Sequence, residues 1–302
     1  MQTRSSPSAG PMSPELTELV PIPAGTSWQG SDDFYTEEAP RVQVDVETFE
    51  LERHPVTNAQ FAAFVAETGW VTTAERPIPD DIIGIPPEMR APGSLVFTPT
   101  SGPVDLLRWE LWWQWVPGAN WRHPYGPASH LTGLDHHPVV HVSHEDAAAY
   151  AAWAGRRLPT ETEWEHAAAS AAGDDYAWGS EFMPAGQLMA NTYQGNFPYE
   201  NVGANGWTGT SPVGAFPATN HGLFDMIGNV WEWTTSPFRS TRDSSTSCCA
   251  APVDPASHEE QLVVKGGSHL CNPTYCARYR PAARQPHSPD SSTTHLGFRC
   301  AR

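Results

Sequence analysis

The residues best suited to chemistry are two cysteines, Cys271 and Cys276, in the segment KGGSHLCNPTYCARYRP (265–281). Four residues separate them, which is too many for a Cys-x-x-Cys redox pair, and no second pair follows to complete a four-ligand zinc site. Asn272 and Pro273 favour a turn rather than a helix, and a turn would bring both sulfurs to its concave side. Two converging thiols can form a disulfide or bind a soft metal, for which Cu(I) is the best candidate.

Three arginines follow the cysteine pair, at Arg278, Arg280 and Arg284. Their positive charges would lower the pKa values of the thiols and so favour the thiolates that bind metals. The spacing alone leaves a second interpretation equally open, in which Cys271 and Cys276 are buried and inert.

Two further segments carry oxygen donors that suit Ca²⁺. In LFDMIGNVWEW (223–233), Asp225 and Glu232 bracket a Gly-Asn turn whose carbonyls, at Gly228 and Val230, could point inward. In NTYQGNFPYENVGANGW (191–207), two asparagines flank an irregular loop. Either segment alone is also explained by ordinary turn chemistry, because Asn, Asp and Gly are frequent in turns.

The composition predicts a globular protein with little regular secondary structure. Among 302 residues there are 30 prolines, 24 glycines and 13 tryptophans, and the net charge is −17, with Lys265 as the only lysine. The absence of a basic stripe argues against nucleic-acid binding, and no apolar stretch is long enough to span a membrane. The beginning of the sequence lacks the apolar run of a secretory signal. We therefore expect a disordered tail over residues 1–16, one domain over 17–302, and a cytoplasmic protein with reduced thiols.

Periodicity and capping residues predict a few regular elements. A strand is expected over 41–53, and helices over 57–69, 143–155 and 160–173, each starting at a Ser or Thr cap. A short strand is expected over 261–267, and the histidine-rich segment 134–144 is interpreted mostly as a strand rather than a metal site.

Two segments stand out by composition. LRWELWWQWVPGANW (107–121) is rich in tryptophan and could be a membrane-surface stripe, but the surrounding prolines favour a packed loop. Residues 240–260 are rich in Ser, Ala and Pro and predict a flexible insertion. We expect Cys248 and Cys249, inside that insertion, to be incidental.

Taken in order, the motifs RLPTETEWEHAA, GLFDMIGNVWEW, VVKGGSHLCNPTYCARYR and PDSSTTHLGFRCA closely resemble those of the formylglycine-generating enzymes, or sulfatase-modifying factors. The likeness covers roughly residues 20 to 302. The Cys-x4-Cys pair is its most specific part, because GNVWEW and GFRC also mark the wider superfamily.

The resemblance implies a single α+β domain of the formylglycine-generating-enzyme and C-type-lectin-like fold. It also implies an O₂-dependent oxidase that converts the cysteine of a Cys-x-Pro-x-Arg motif, in an unfolded or nascent sulfatase, to Cα-formylglycine. The implied cofactor is Cu(I) on Cys271 and Cys276, and a reductant is needed. The resemblance implies that the following residues line the copper and oxygen pocket or lie near it: Trp231, Ser268, Tyr275, Ser292 and His295. We expect a monomer.

The resemblance also implies two structural Ca²⁺ sites. One consists of Asn191, Thr192, Asn205 and Trp207, and the other of Asp225, Gly228, Val230 and Glu232. Asn205 stands where the family usually has Asp, which removes a charge from the first site. Cys300 matches a position that is disulfide-bonded in secreted relatives, but Ala168 occupies its partner's place, so Cys300 is expected to be a free thiol.

Three alternatives remain open at this stage. An iron-dependent sulfoxide synthase of the same superfamily would need a three-histidine site. A non-catalytic lectin-like module would make no use of the Cys271/Cys276 pair, and a thiol oxidoreductase acting by disulfide exchange would tolerate copper chelators.

Overall fold

Three short α-helices and a set of short strands are joined by long irregular segments. The computed structural model describes residues 15–80, 84–170, 172–240 and 261–302. The helices are α1 (Asn58–Thr68), α2 (His144–Trp153) and α3 (Glu161–Ala168). The strands are β1 (Leu19–Ile22), β2 (Gly25–Gln29), β3 (Val42–Val46), β4 (Phe49–Glu52), β5 (Gly93–Phe97), β6 (Trp113–Pro117), β7 (Gly195–Asn196), β8 (Glu200–Asn201), β9 (Trp231–Pro237), β10 (Leu262–Lys265), β11 (Arg284–His287) and β12 (Leu296–Gly297).

A four-stranded sheet in the order β11-β10-β9-β12 carries the segments that matter for the site. Strands β9, β10 and β11 are antiparallel neighbours, whereas β12 pairs with β9 in parallel, with Leu296 opposite Trp231. The cysteine segment leaves the end of β10 and returns as β11. The remaining strands form two-stranded sheets: β1 with β4, β2 with β3, β5 with β6, and β7 with β8.

The three predicted helix starts are confirmed. Thr57, Ser143 and Thr160 each accept a hydrogen bond from a backbone N–H three residues on, in a complete capping box. The third helix is shorter than predicted, ending at Ala168 because Ala169 is extended. The strand expected over 41–53 is divided into β3 and β4.

Two sequence predictions were wrong in their secondary structure. The tryptophan-rich segment is not only a packed loop, because Trp113–Pro117 forms β6 and pairs with β5. The histidine-rich segment 134–144 is not a strand: His141 has a left-handed backbone (φ 59°), and only Pro138 makes an isolated bridge, to Thr57. A left-handed residue breaks the alternation that a strand requires.

Aromatic side chains form the centre of the main core. Phe61 of α1 contacts Phe64, Trp121, Tyr150 and Phe298 through ring pairs whose centroids lie 5.2–6.4 Å apart. The pairs are mostly edge-to-face, the favourable arrangement for aromatic rings. This cluster connects the helices to the C-terminal strand region.

Cys300 and Ala168 are both buried in the main core. Cys300 is a free thiol, as predicted from the alanine at its partner position. Its backbone N–H donates to the Glu52 carboxylate at 2.7 Å.

Two predicted segments cannot be compared with the structure. The N-terminal tail falls mainly on residues 1–14, and the insertion, with Cys248 and Cys249, falls on 241–260, all outside the described residues. Within the described ranges, every helix is too short or too polar to span a bilayer.

Replacing Phe61 with alanine should lower the free energy of unfolding by about 3–5 kcal/mol, because it leaves a cavity among four rings. Urea denaturation measures this change. Val71→Ala, at an exposed position, serves as the control and should change little. Equal effects of the two substitutions would contradict the assigned core.

Candidate active site

The two cysteines converge in a tight turn at the end of the sheet. The Cys271 and Cys276 sulfurs lie 3.1 Å apart, both buried, and both thiols are free. This separation is well beyond the bonded distance of about 2.05 Å. The turn is closed by the Cys276 N–H, which donates to the Asn272 carbonyl at 2.8 Å. The predicted convergence on the concave side is confirmed.

Glycine allows the chain to enter this turn. Gly267 has a left-handed backbone (φ 73°), and a Cβ there would lie 2.6 Å from the Arg278 carbonyl oxygen. Only a residue without a side chain fits so close an approach. The cysteine segment can therefore fold back on its own continuation.

Asn272 and Thr274 fix the shape of the turn. The Asn272 amide donates to the carbonyls of Tyr193 and Gly195, at 3.2 and 3.1 Å. Its side-chain oxygen accepts from the Thr274 N–H and hydroxyl, at 2.9 and 2.6 Å. His269 adds a second anchor through two bonds to the Asn229 carbonyl. The residues around the cysteines thus tie the turn to two neighbouring loops.

The pKa values of the two thiols are shifted in opposite directions. The hydrogen bond from Cys271 and the positive charge of Arg278 lower the pKa of Cys276 to about 7. Burial, reinforced by the contact with Cys276, raises the pKa of Cys271 well above its usual value. The Ser268 N–H also points at the Cys271 sulfur, at 3.5 Å. Near neutral pH the pair therefore supplies one thiolate readily, and the second thiol loses its proton only when something replaces it.

Of the three arginines predicted to act on the thiols, only Arg278 lies at the cavity. Arg278 pairs with Glu37 and stacks on the Tyr35 ring, 3.8 Å from its centroid. The other two predictions were wrong, because each guanidinium has a buried carboxylate partner elsewhere: Arg280 pairs with Glu38 and Arg284 with Glu161.

The cysteine pair forms part of the wall of a cavity of about 170 Å³. Four residues singled out from the sequence line it with the cysteines: Trp231, Ser268, Tyr275 and His295. Trp231 comes from β9, and His295 immediately precedes β12, so the parallel pairing of these strands brings the two together. Ser292 does not line the cavity. Its hydroxyl instead lies 2.9 Å from that of Ser94.

Sequence reasoning missed several lining residues: Trp112, Trp113, Phe197, Leu270 and Gln285. The Phe197 ring stacks on Tyr275 at 4.5 Å, and Trp112 packs edge-on against Tyr275 at 5.4 Å. The tryptophan-rich segment was visible in the sequence, but nothing there joined it to the cysteines, which lie about 160 residues later. Only the tertiary fold brings the two together.

His295 is held inside the cavity wall as a neutral ring. Burial lowers its pKa well below the usual value, and neighbouring histidines act in the same direction. Its Nδ1 lies 2.8 Å from the Thr293 hydroxyl, and its ring packs on Trp113 at 4.8 Å. These contacts fix the ring's orientation.

The loops predicted to bind calcium lie side by side. Asn191 and Gly228 form an isolated bridge, and the Asn229 N–H donates to the Asn191 carbonyl at 2.9 Å. Gly228 is left-handed, and a Cβ there would lie 2.4 Å from that same carbonyl oxygen. Thr192 is buried next to Asn191, whereas Asn205 is exposed and Trp207 partly exposed.

The two acidic residues of the calcium prediction are both buried and hydrogen-bonded. The Glu232 carboxylate accepts from Arg299 at 2.7 and 2.8 Å and from Trp164 at 2.7 Å, all buried. These three bonds occupy most, but not all, of the acceptor positions of a carboxylate. Asp225 accepts from the Gly214 N–H and the Asn229 amide, and burial raises its pKa to about 6. Val230, which lies between these two residues in the sequence, is also buried.

Comparison with known proteins gives the family. Residues 5–302 match the model of the sulfatase-modifying factor enzyme 1-like domain. The chain belongs to this family. It is 57% identical to the formylglycine-generating enzyme of Mycobacterium tuberculosis over 292 residues, covering 94% of this chain and 97% of the relative. It is 42% identical to the mouse formylglycine-generating enzyme over 297 residues, covering 97% of this chain and 77% of the relative.

The fold is shared more widely. The structure of PvdO from Pseudomonas aeruginosa superposes with a TM-score of 0.60 at 24% identity, covering 95% of this chain and 94% of PvdO. The predicted α+β domain with little regular secondary structure is confirmed.

Replacing Arg278 with methionine should raise the pKa of Cys276, because the thiolate loses its nearest positive charge. In the metal-free wild type we expect the thiolate to form as the pH rises through about 7. Ultraviolet thiolate absorbance against pH measures the midpoint, which should move upward in the variant. Arg76→Met, at an exposed arginine paired with Glu145, is the control. An unchanged midpoint in Arg278→Met would contradict the assigned role.

Glu232→Gln should lower the free energy of unfolding by about 3–5 kcal/mol, because it leaves the Arg299 charge buried without a partner. Glu110→Gln breaks the exposed pair with Arg108, which is screened by solvent, and should change the free energy of unfolding little. Urea denaturation compares the two. A Glu232→Gln variant as stable as Glu110→Gln would show that the buried pair has been assigned wrongly.

Proposed function

We propose that the protein is a copper-dependent oxidase that converts the cysteine of a Cys-x-Pro-x-Arg motif in sulfatases to Cα-formylglycine. The polypeptide is taken in an unfolded or nascent form, with O₂ as oxidant and a reductant as second electron donor. The family relatives named above support this activity, since two of them are formylglycine-generating enzymes.

The observation that carries the proposal is the pair of free sulfurs, 3.1 Å apart in the wall of a cavity. Reactive cysteines lie in electropositive surroundings, which Arg278 supplies to Cys276, whereas structural cysteines are inert. The pair therefore argues against a lectin-like module, which would need no thiols there.

The donor set fits a soft monovalent ion. Two thiolates favour Cu(I), whereas zinc would require further ligands. Within the described ranges, no group of three or more His, Cys, Asp and Glu side chains could hold a metal. The described residues therefore contain no three-histidine cluster that would support an iron-dependent sulfoxide synthase. Copper, when bound by Cys271 and Cys276, supplies a one-electron partner for O₂, which otherwise reacts slowly with closed-shell thiols.

The protein's own residues prepare the site for a guest thiol. Arg278 favours the anionic sulfur of Cys276, and the Ser268 N–H stabilises charge on Cys271. Trp231, Trp112 and Phe197 give part of the cavity an apolar wall, which limits water on that side of the reacting group. Tyr275 lies at the opening, partly exposed, where it can position the substrate side chain.

The proposed reaction balances with one external reductant. The substrate CH₂–SH group loses two electrons and two protons to give a thioaldehyde, which water hydrolyses to the aldehyde and H₂S. Reduction of O₂ to two waters takes four electrons, two from the substrate and two from the reductant. Both oxygen atoms of O₂ therefore leave as water, and the aldehyde oxygen comes from solvent.

Calcium, the monomeric state and the cytoplasmic location remain predictions. For calcium, the proposed donors are Asp225, Gly228, Val230 and Glu232 at one site and the segment around Asn191 at the other. Glu232 would have to bind the ion while also pairing with Arg299.

Cys271→Ser and Cys276→Ser should each reduce peptide conversion by at least about a hundredfold, because each removes one of two soft ligands. Mass spectrometry of a Cys-x-Pro-x-Arg peptide, incubated with copper, reductant and O₂, measures aldehyde formation. Both variants should also lose binding of one copper ion per chain, measured by metal analysis after desalting.

Cys300→Ala is the matched control, since Cys300 is a third buried free thiol outside the cavity. It should retain both copper and activity. Undiminished conversion by either active-site variant would refute the copper assignment. Conversion that continues in the wild type with a copper chelator present would favour disulfide exchange instead.

A further inference from the structure

Two large apolar side chains are exposed on the loop that precedes β6. Leu107 is 90% exposed and Trp109 is 55% exposed. The same loop packs its other apolar residues, Val104, Leu106 and Leu111, against a buried aromatic cluster. The loop therefore has a fixed inner face, and Leu107 and Trp109 form a separate outer face, here called the rim patch.

The rim patch lies one helical turn away from a residue of the cavity wall. The Trp112 N–H donates to the Trp109 carbonyl at 3.2 Å, in a single helical turn. Trp112 is fully buried, lines the cavity, and packs edge-on against Tyr275 at 5.4 Å. Tyr275 is itself 37% exposed. The buried Trp112 thus links the backbone of the rim patch to the exposed Tyr275, next to Cys276.

The size of the cavity limits what it can receive. A volume of about 170 Å³ is below the roughly 300–1,000 Å³ of pockets that enclose drug-sized ligands. It can accept one side chain of a polypeptide but not the residues on either side. Those neighbouring residues must lie on the surface outside the cavity, and the rim patch is exposed apolar surface one helical turn from the wall residue Trp112.

We propose that the rim patch binds an apolar side chain of the substrate polypeptide that lies outside the Cys-x-Pro-x-Arg motif. This inference rests on the proposed function. An unfolded chain exposes the apolar side chains that a folded sulfatase buries, so the patch would favour unfolded substrates.

The test compares wild type with the double variant Leu107→Ser, Trp109→Ser on three peptides. One contains only the motif, one extends it on both sides with leucine-containing flanks, and the third has serine in place of those leucines. For the leucine-flanked peptide, the variant should raise KM about tenfold and leave kcat unchanged. The motif-only and serine-flanked peptides should show the same KM with both proteins.

Val71→Ser is the matched control, because Val71 is also exposed but does not line the cavity, and it should change none of these values. An unchanged KM for the leucine-flanked peptide would overturn the inference. So would an equal rise for the motif-only peptide, which would place the two residues in the cavity's own machinery. Binding of both proteins to anionic lipid vesicles is measured alongside. If the double variant loses vesicle binding that wild type shows, while its peptide kinetics are unchanged, the patch binds a lipid surface instead.

Failure of the proposed function gives a different result. Wild type would then convert none of the three peptides, and the inference would fall with it. Conversion of all three by wild type, with no preference for leucine flanks, would leave the proposed function intact and refute only the rim patch.

Discussion

The structure depends on two ion pairs, one buried and one partly exposed, that hold the cysteine turn against the N-terminal segment. Arg278 and Arg280, just after Cys276, pair with Glu37 and Glu38. These contacts join residues about 240 positions apart in the sequence. A buried charge without its partner is costly, so the Arg280–Glu38 pair in particular favours one position for this part of the chain. The end of the cysteine turn is fixed as a consequence.

The rest of the site is arranged around that fixed turn. Trp231 of β9, His295 just before β12 and Trp112 just before β6 all line the cavity next to this turn. The Tyr35 hydroxyl accepts from the Ala277 N–H at 3.0 Å, so even the backbone after Cys276 is anchored. Two cysteines placed on one turn need such support to keep their sulfurs close together, because the turn is not part of a strand ladder.

The helix starts and the cysteine turn could be predicted from the sequence. Capping boxes at Thr57, Ser143 and Thr160 are local signals, and the turn at Asn272–Pro273 follows from the conformational limits of proline. The free state of Cys300 followed from Ala168. The aromatic wall was not accessible, because Trp112 and Phe197 meet Tyr275 only through tertiary contacts. The Glu232–Arg299 pair was missed for the same reason, since a carboxylate beside a glycine turn has the same sequence signature whether it faces an ion or an arginine.

The central claim is that the two sulfurs together bind one soft metal ion. X-ray absorption at the copper edge of the reduced, copper-loaded protein tests it most directly, because this method counts the atoms bound to the metal. The account predicts one copper ion per chain with two sulfur neighbours and no nitrogen or oxygen neighbours at bonding distance. Copper bound mainly by nitrogen or oxygen, or the same spectrum from a Cys271→Ser variant, would contradict it.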